Sequence, residues 1–235
     1  MTRKYPVGIQ TFSEIIRGGY TYVDKTDLVW QLASYAKYIF LSRPRRFGKS
    51  LLTSTLESYF RGEEKLFEGL KIMQLEKEWQ QHPVIRLSLS TAKDQESPAE
   101  LRDKLTLLMK PYKEEYGSDP DEKTPGGVLA GLIRRAYKKT RKQVVVLLDE
   151  YDAPLLEVLH EEEMLNPMRK VMQEFYQPMK DSEEMVKYCF ITGITKFSQL
   201  SIFSTINNLK NVTMLPQFST ICGSSMQRQE MITVN

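Results

Sequence analysis

The sequence predicts an α/β domain, with a parallel sheet sandwiched between two helical layers. Two observations carry this expectation. Short apolar runs alternate with amphipathic stretches of helical period along most of the chain, and right-handed crossovers turn such alternation into a parallel sheet. The run Val144 to Leu148 is five consecutive aliphatic residues without polar alternation, the pattern of a strand buried on both faces.

The elements follow in order. Strand one spans Tyr38 to Leu41 and feeds, through a polar turn, a helix from Lys49 to Tyr59 whose Leu52, Leu56 and Tyr59 share a face. His82-Pro83 leads into strand two, Val84 to Leu89. Ser97-Pro98-Ala99-Glu100 reads as a capping box with proline at the first helical position, opening a helix that runs to about Glu115. Gly117 to Gly127 is a polar loop rich in Pro, Gly and Asp. Val128, Leu129, Leu132, Ile133, Ala136 and Tyr137 then mark a helix that delivers the chain into strand three at Val144. Met168, Val171, Met172 and Phe175 make another helix, with the methionines as core, before strand four at Lys187 to Gly193. A short fifth strand is expected over Val212 to Leu215.

Chemistry concentrates at two strand ends. In KYIFLSRPRRFGKSLL, Lys37 to Leu52, an apolar strand meets a tight polar turn, and Gly48-Lys49-Ser50 opens a helix. A helix N-terminus aims unpaired N–H groups and a positive dipole at an anion, so the expected ligand is a nucleotide phosphate. The general loop reads G-x-x-x-x-G-K-[ST], with Lys on the β/γ-phosphates and the hydroxyl on Mg²⁺. Here the first glycine is replaced by Arg43, in a turn that glycine would occupy more cheaply, and Pro44 has no N–H to give. Arg45, Arg46, Phe47, Gly48, Lys49, Ser50 and Leu51 are the candidate nucleotide-binding residues. A basic surface loop is the competing reading of this segment alone.

VVVLLDEYD, Val144 to Asp152, supplies the second strand end. An acidic pair at the carboxyl end of a buried strand is costly to place without purpose. Asp149 is expected to hold Mg²⁺ through water, with Ser50 as the other metal ligand, and Glu150 to orient and deprotonate the attacking water. Lys49, Glu150 and Thr192 are the candidate catalytic residues, Thr192 as a γ-phosphate sensor at the end of strand four, with Thr195 as the fallback. Asp152 is expected to set the position of Glu150 or to cap the following helix. A kinase is disfavoured, because a base suited to water defeats an enzyme that must exclude it.

Composition bounds the rest. With 235 residues, 41% hydrophobic and 27% charged, the chain suffices for one α/β domain with a sizeable core. A net charge of +3 leaves no general nucleic-acid footprint, and Lys138 to Lys142 reads as a solvated helix end. No apolar run approaches the roughly 18 residues of a membrane helix, and no signal-peptide core is present. Cys189 and Cys222 have no metal spacing, which fits a reduced, cytoplasmic protein. His82 and His160 are isolated and expected at the surface.

Several long segments are similar to the bacterial predicted AAA-ATPase, or AAA-ATPase-like, family. They are YPVGIQTFSEII (Tyr5 to Ile16), YTYVDKT (Tyr20 to Thr26), LSRPRRFGKSLL (Leu41 to Leu52), LLDEYDAPL (Leu147 to Leu155) and FITGITKFSQLSIFSTINNLKNVTM (Phe190 to Met214). The resemblance reaches from Tyr5 to about Gly223, and the arginine at position 43 is part of it. It implies a P-loop NTPase, a three-layer αβα fold with a five-stranded parallel sheet of order 5-1-4-3-2, ATP and Mg²⁺ as cofactors, and hydrolysis of the β–γ phosphoanhydride. The alternatives are a nucleotide-bound regulatory or interaction module without turnover and an inactive fragment. The nucleotide is the expected partner; a protein partner is left open.

Residues 1–35 are expected to pack on the core as an N-terminal segment, 36–222 to form the ATPase-like domain, and 223–235 to be an aberrant or disordered tail. Relatives approach adenine near Tyr22, Asp24 and Lys25, although a structural role is the stronger expectation there. Relatives also continue through a helical lid into a domain resembling the PD-(D/E)XK nucleases. SSMQRQEMITVN, from Ser224, resembles neither, so lid and C-terminal domain are expected to be missing, as in a truncated or frame-shifted product.

Overall fold

The computed structural model describes residues 4–195, 202, 208–223 and 231–233. Three short elements precede the sheet: α1 (Phe12–Arg17), β1 (Thr21–Val23) and α2 (Thr26–Tyr35). Then come β2 (Tyr38–Ser42), α3 (Lys49–Phe60), β3 (Val84–Ser88), α4 (Pro98–Leu108), α5 (Lys110–Tyr116) and α6 (Pro125–Thr140). The chain continues through β4 (Val144–Asp149), α7 (Ala153–Leu156), α8 (Glu162–Tyr176), α9 (Pro178–Asp181), β5 (Val186–Gly193), β6 (Lys210–Asn211) and β7 (Met231–Thr233).

The main sheet has five strands in the order β3-β4-β5-β2-β6, every pair parallel. Numbering only these five strands along the chain and reading from the β6 edge gives 5-1-4-3-2, since β1 belongs to a separate pairing with β7. Two strands separate from each other in sequence, β2 and β5, lie side by side, and the carboxyl ends of β2, β5 and β4 share one edge.

Strand periodicity builds two cores. Val144, Val146 and Leu148 point to one face with Tyr38, Phe40, Ile85 and Ile191, under Leu101, Leu132 and Met172 from α4, α6 and α8. Val145 and Leu147 point to the other with Ile39, Leu41, Val84 and Phe190, against Leu32 of α2 and Leu52 and Leu56 of α3. Every residue of β2 and β4 is buried, which is why β4 shows no polar alternation. A smaller apolar cluster holds Phe12, Ile15, Tyr22, Phe67 and Ile72, and the Phe12 amide donates to Ser54 Oγ of α3 at 2.9 Å.

Some boundaries differ from expectation for local reasons. Ser97 caps α4 by accepting from the Glu100 amide at 3.2 Å, but Glu100 returns its bond to the Glu96 amide rather than to the cap itself. The helix then breaks at Met109 because Pro111 cannot continue it, giving α4 and α5. α6 starts at Pro125, earlier than Val128, because Thr124 caps it by accepting from the Gly127 amide at 3.0 Å. The fifth strand forms at Lys210–Asn211, not Val212 to Leu215; Asn211 Oδ1 accepts the Thr213 amide at 3.0 Å and turns the chain there. No element is expected beyond Gly223, yet Met231–Thr233 forms β7, antiparallel to β1.

Candidate functional site

The loop begins where β2 runs out. Ser42 is opposite Gly193 of β5, and the Arg43 amide extends the pairing by donating to the Gly193 carbonyl at 3.1 Å. Pro44 to Gly48 are exposed. Arg46 (φ 66°) and Gly48 (φ 78°) are left-handed, which reverses the chain into α3. Glycine takes that conformation freely, whereas Arg46 pays about 1–2 kcal/mol for it. The Gly48 carbonyl accepts the Leu52 amide at 3.0 Å, so α3 is hydrogen-bonded from the glycine onward. Arg43 does not share this geometry: its φ is not positive, so its position never required glycine.

Lys49 is the first residue of α3 and only 6% exposed. Its ammonium lies back along the loop, donating to the Pro44 carbonyl at 3.0 Å. Ser50 and Leu51 complete the first turn, where free N–H groups and the helix dipole favour an anion.

At the end of β4, Asp149 is 1% exposed and its Oδ1 accepts the Glu150 amide at 3.0 Å. Glu150 has a left-handed backbone, φ 53°, which turns the chain sharply off the strand and leaves its side chain half-buried. Burial, and then the Asp149 carboxylate, raise the Glu150 carboxyl above the ordinary carboxylate range; Lys49 opposes the rise, Asp152 adds to it and Arg45 opposes it. Asp149, Lys49, Asp152 and Arg45 are thus the charges that act on Glu150.

Thr192 sits at the end of β5, next to the Gly193 that pairs with Ser42. It is fully buried, and its hydroxyl donates across the sheet to the Leu41 carbonyl at 2.7 Å. Asp152 makes no side-chain cap of α7; its Oδ2 accepts the amides of Ile194 at 3.0 Å and Thr195 at 2.6 Å, which ties down the turn that carries Glu150. That contact, and the bonds of the Arg43 guanidinium to the carbonyls of Ser42, Thr213 and Phe218, were missed by sequence reasoning. The second Asp of Asp149-Glu150-Tyr151-Asp152 and the Arg-for-Gly departure were the signals available.

On the α3 side, the loop adjoins a cavity of about 360 Å³, lined by Ile15, Val29, Phe47, Gly48, Leu51 and Leu52 among others. Its size is that of a small-molecule pocket, and its walls are mainly apolar. Tyr22 and Lys25 also line it. Burial raises the Tyr22 hydroxyl well above its ordinary value, partly offset by a hydrogen bond with Thr55. Asp24 is structural, accepting from the Thr26 amide and hydroxyl at 2.9 and 2.7 Å and from the Lys71 amide at 2.8 Å. A second cavity, about 510 Å³, opens on the other side of the loop between Arg45, Ser90, Lys93, Glu150 and Glu157.

Among the described residues, no group of three or more His, Cys, Asp and Glu side chains is arranged to hold a metal alone. Asp149 is a buried carboxylate with no cation in salt-bridge range among the described residues, and its Oδ1 accepts the Glu150 amide.

With the loop, the acidic strand end and the cavity in place, the decisive comparison is a family model described as "Predicted AAA-ATPase", which matches residues 6–203. The chain belongs to this predicted AAA-ATPase family. The match takes in the loop, Asp149 and Glu150, Thr192 and the N-terminal wall of the cavity. A relative described as an uncharacterized protein in the vnfD 5′ region of Azotobacter chroococcum mcd 1 is 37% identical over 222 residues, which cover 94% of this chain and 43% of the relative. The chain thus spans less than half the length of that relative. Membership of an AAA-ATPase-like family fits a nucleotide-binding module of the P-loop kind. No helix among the described residues is long and apolar enough to cross a membrane.

Proposed function

We propose that the chain is an ATP-binding module that hydrolyses the β–γ phosphoanhydride with Mg²⁺. The observation that supports this reading is the packing of α3, with buried Lys49 at its N-terminus, on β4, whose end carries Asp149 and a Glu150 carboxyl raised above its usual range. In this reading Arg45, Arg46, Phe47, Gly48, Lys49, Ser50 and Leu51 hold the phosphates, and the apolar cavity beside Gly48 and Leu51 takes the base.

Ser50 and Asp149 would hold Mg²⁺, the aspartate through water, and the ion would neutralise charge on the phosphate oxygens. Lys49 would exchange its bond to the Pro44 carbonyl for one to a phosphate oxygen. Glu150 would take the proton of the attacking water, helped by a basicity above that of an ordinary carboxylate. Phosphoryl transfer asks for positioning and charge stabilisation more than for covalent chemistry, and these residues offer both.

A second reading, a nucleotide-bound switch with negligible turnover, is favoured by the Thr192–Leu41 bond, which engages the hydroxyl of the expected sensor across the sheet. Calorimetry with ATP and GTP, with and without Mg²⁺, followed by phosphate-release measurements, tests both. Mg²⁺-dependent ATP binding with turnover supports the first reading, and binding without turnover supports the second. No binding of either nucleotide overturns both.

A further inference from the structure

The arginine that stands where a phosphate loop usually begins with glycine holds something other than the loop's own turn. Its guanidinium donates to three carbonyls: Ser42 at 2.9 Å, Thr213 at 2.8 Å and Phe218 at 3.0 Å. Two of these belong to the segment that follows β6. Lys25, from the N-terminal segment, donates its ammonium to two further carbonyls of the same stretch, Thr220 and Gly223. Among the described residues, neither cation is in a salt bridge with a carboxylate.

Other bonds hold the start of that stretch and its turns: the Val212 amide donates to the Phe40 carbonyl, the Ser42 amide to Thr213 Oγ1 at 3.0 Å, and the amides of Leu215, Phe218 and Ile221 to carbonyls within the stretch. Between Val212 and Gly223 its only regular structure is a three-residue turn of 3₁₀ helix at Pro216–Phe218. Irregular backbone must find partners for its carbonyls, and here two cations supply four of them. Phe218, Ile221 and Cys222 are thereby buried in the core beneath α2 and α3. Ile221, Cys222 and Gly223 form one wall of the cavity, facing Phe47 and Gly48 of the loop. The fit is close: a Cβ on Gly223 would lie 3.0 Å from the Phe47 ring. This wall lies beyond residues 6–203, the part matched by the family model.

We infer that Arg43 is a positioning residue, fixing the 213–223 segment as a wall of the cavity so that nucleotide affinity depends on it without any contact between Arg43 and phosphate. The inference rests on the nucleotide reading for its ligand but not for its geometry. It carries an expectation contrary to the motif: Arg43→Gly, which restores the general loop, weakens nucleotide binding.

Two readouts separate this role from its rivals. The first needs no nucleotide. Cys222 is 6% exposed in the wall, and burial pushes its thiol up to about 11, so alkylation by N-ethylmaleimide is slow; Cys189, fully buried in β5, is an internal reference. In Arg43→Gly, Cys222 should react about tenfold faster or more, with Cys189 unchanged. The second compares ATP with inorganic tripolyphosphate by calorimetry. Arg43→Gly should lose about tenfold or more in ATP affinity while binding tripolyphosphate within about twofold of the parent.

Equal losses for both ligands would make Arg43 a phosphate ligand and overturn the inference. Parental values in both readouts would make it a spectator and overturn it too. If Cys189 also accelerates, Arg43→Gly has lost its fold and Arg43→Lys decides, since it keeps the charge but not the planar fork that reaches three carbonyls. Faster Cys222 alkylation with selective ATP loss then supports the inference, and parental behaviour overturns it. A parent that binds neither ATP nor tripolyphosphate sinks the nucleotide reading and, with it, the affinity part of the inference; the alkylation rates still decide whether Arg43 holds the wall.

Discussion

The Asp152 carboxylate accepts the backbone amide of Thr195 at 2.6 Å, joining the turn that carries Glu150 to the chain leaving β5. The same oxygen accepts the Ile194 amide, the Tyr151 amide donates to the Thr192 carbonyl, and the Tyr151 hydroxyl donates to the Thr195 carbonyl. Gly193 makes room, since a Cβ there would come within 2.4 Å of Asp152 Oδ1 and 2.5 Å of the Tyr151 ring. Asp152→Ala leaves two amides short of a partner, so a loss of about 1–3 kcal/mol is expected by urea denaturation. Gly193→Ala should disturb the same junction by steric overlap. If the proposed hydrolysis holds, turnover falls in both variants by more than ATP affinity does. Parental stability in Asp152→Ala would show that the clamp is dispensable.

His82 gives a pH prediction away from the loop. It is half-buried, with Nδ1 2.9 Å from the Gln143 carbonyl, and not at the surface as expected; burial, and less so Lys187 and Lys142, lower its pKa from 6.5, against the pull of the carbonyl. A depressed folded-state pKa means that the unfolded chain binds more protons between the two values, so stability rises with pH across that window. The contribution is complete above 6.5 and is lost as pH falls below it toward the folded-state value. His82→Gln should flatten that part of the stability profile. An unchanged slope in denaturation midpoints measured at successive pH values would assign it to other groups.

Lys49→Ala should abolish Mg²⁺-ATP binding while preserving the fold. The lysine is buried along the loop rather than exposed, so the variant also loses the bond to the Pro44 carbonyl, costing about 0.5–1.5 kcal/mol. That is too small to unfold a domain with two apolar cores. Calorimetry and a thermal melt on the same sample check both halves. Equal ATP affinity in variant and parent would eliminate the loop assignment.

What could be read from sequence, and what could not, divides along the range of the interactions. The core of β4 was legible because burial on both faces removes polar alternation, and the helix start at Lys49 and the strand end at Asp149 were legible because each signal is local in sequence. The bonds of Thr192, Asp152 and Arg43 were not legible because their partners, Leu41, Thr195 and Phe218, lie far along the chain. Strand residues and charged side chains settle such bonds only once β2, β5 and β4 are adjacent. β6 moved for a smaller reason, a local Asn211 turn competing with strand extension.

Glu150 offers the sharpest test of hydrolysis against holding. Glu150→Gln keeps the side-chain shape and the left-handed backbone, so ATP affinity should stay near parental while turnover falls about 100-fold or more, the usual size of a general-base contribution. Glu150→Gly also removes the base but relieves the backbone, since glycine adopts φ 53° freely. The Gly variant should therefore be more stable than the Gln variant, by up to about 1 kcal/mol once the added freedom of the unfolded chain is counted against the relief of strain. Stability and activity would then part company at one residue: removing the carboxylate silences the site, and removing the side chain steadies the fold. Turnover at the parental rate in Glu150→Gln would exclude Glu150 as the base, and a parent without turnover would move the protein to the switch reading.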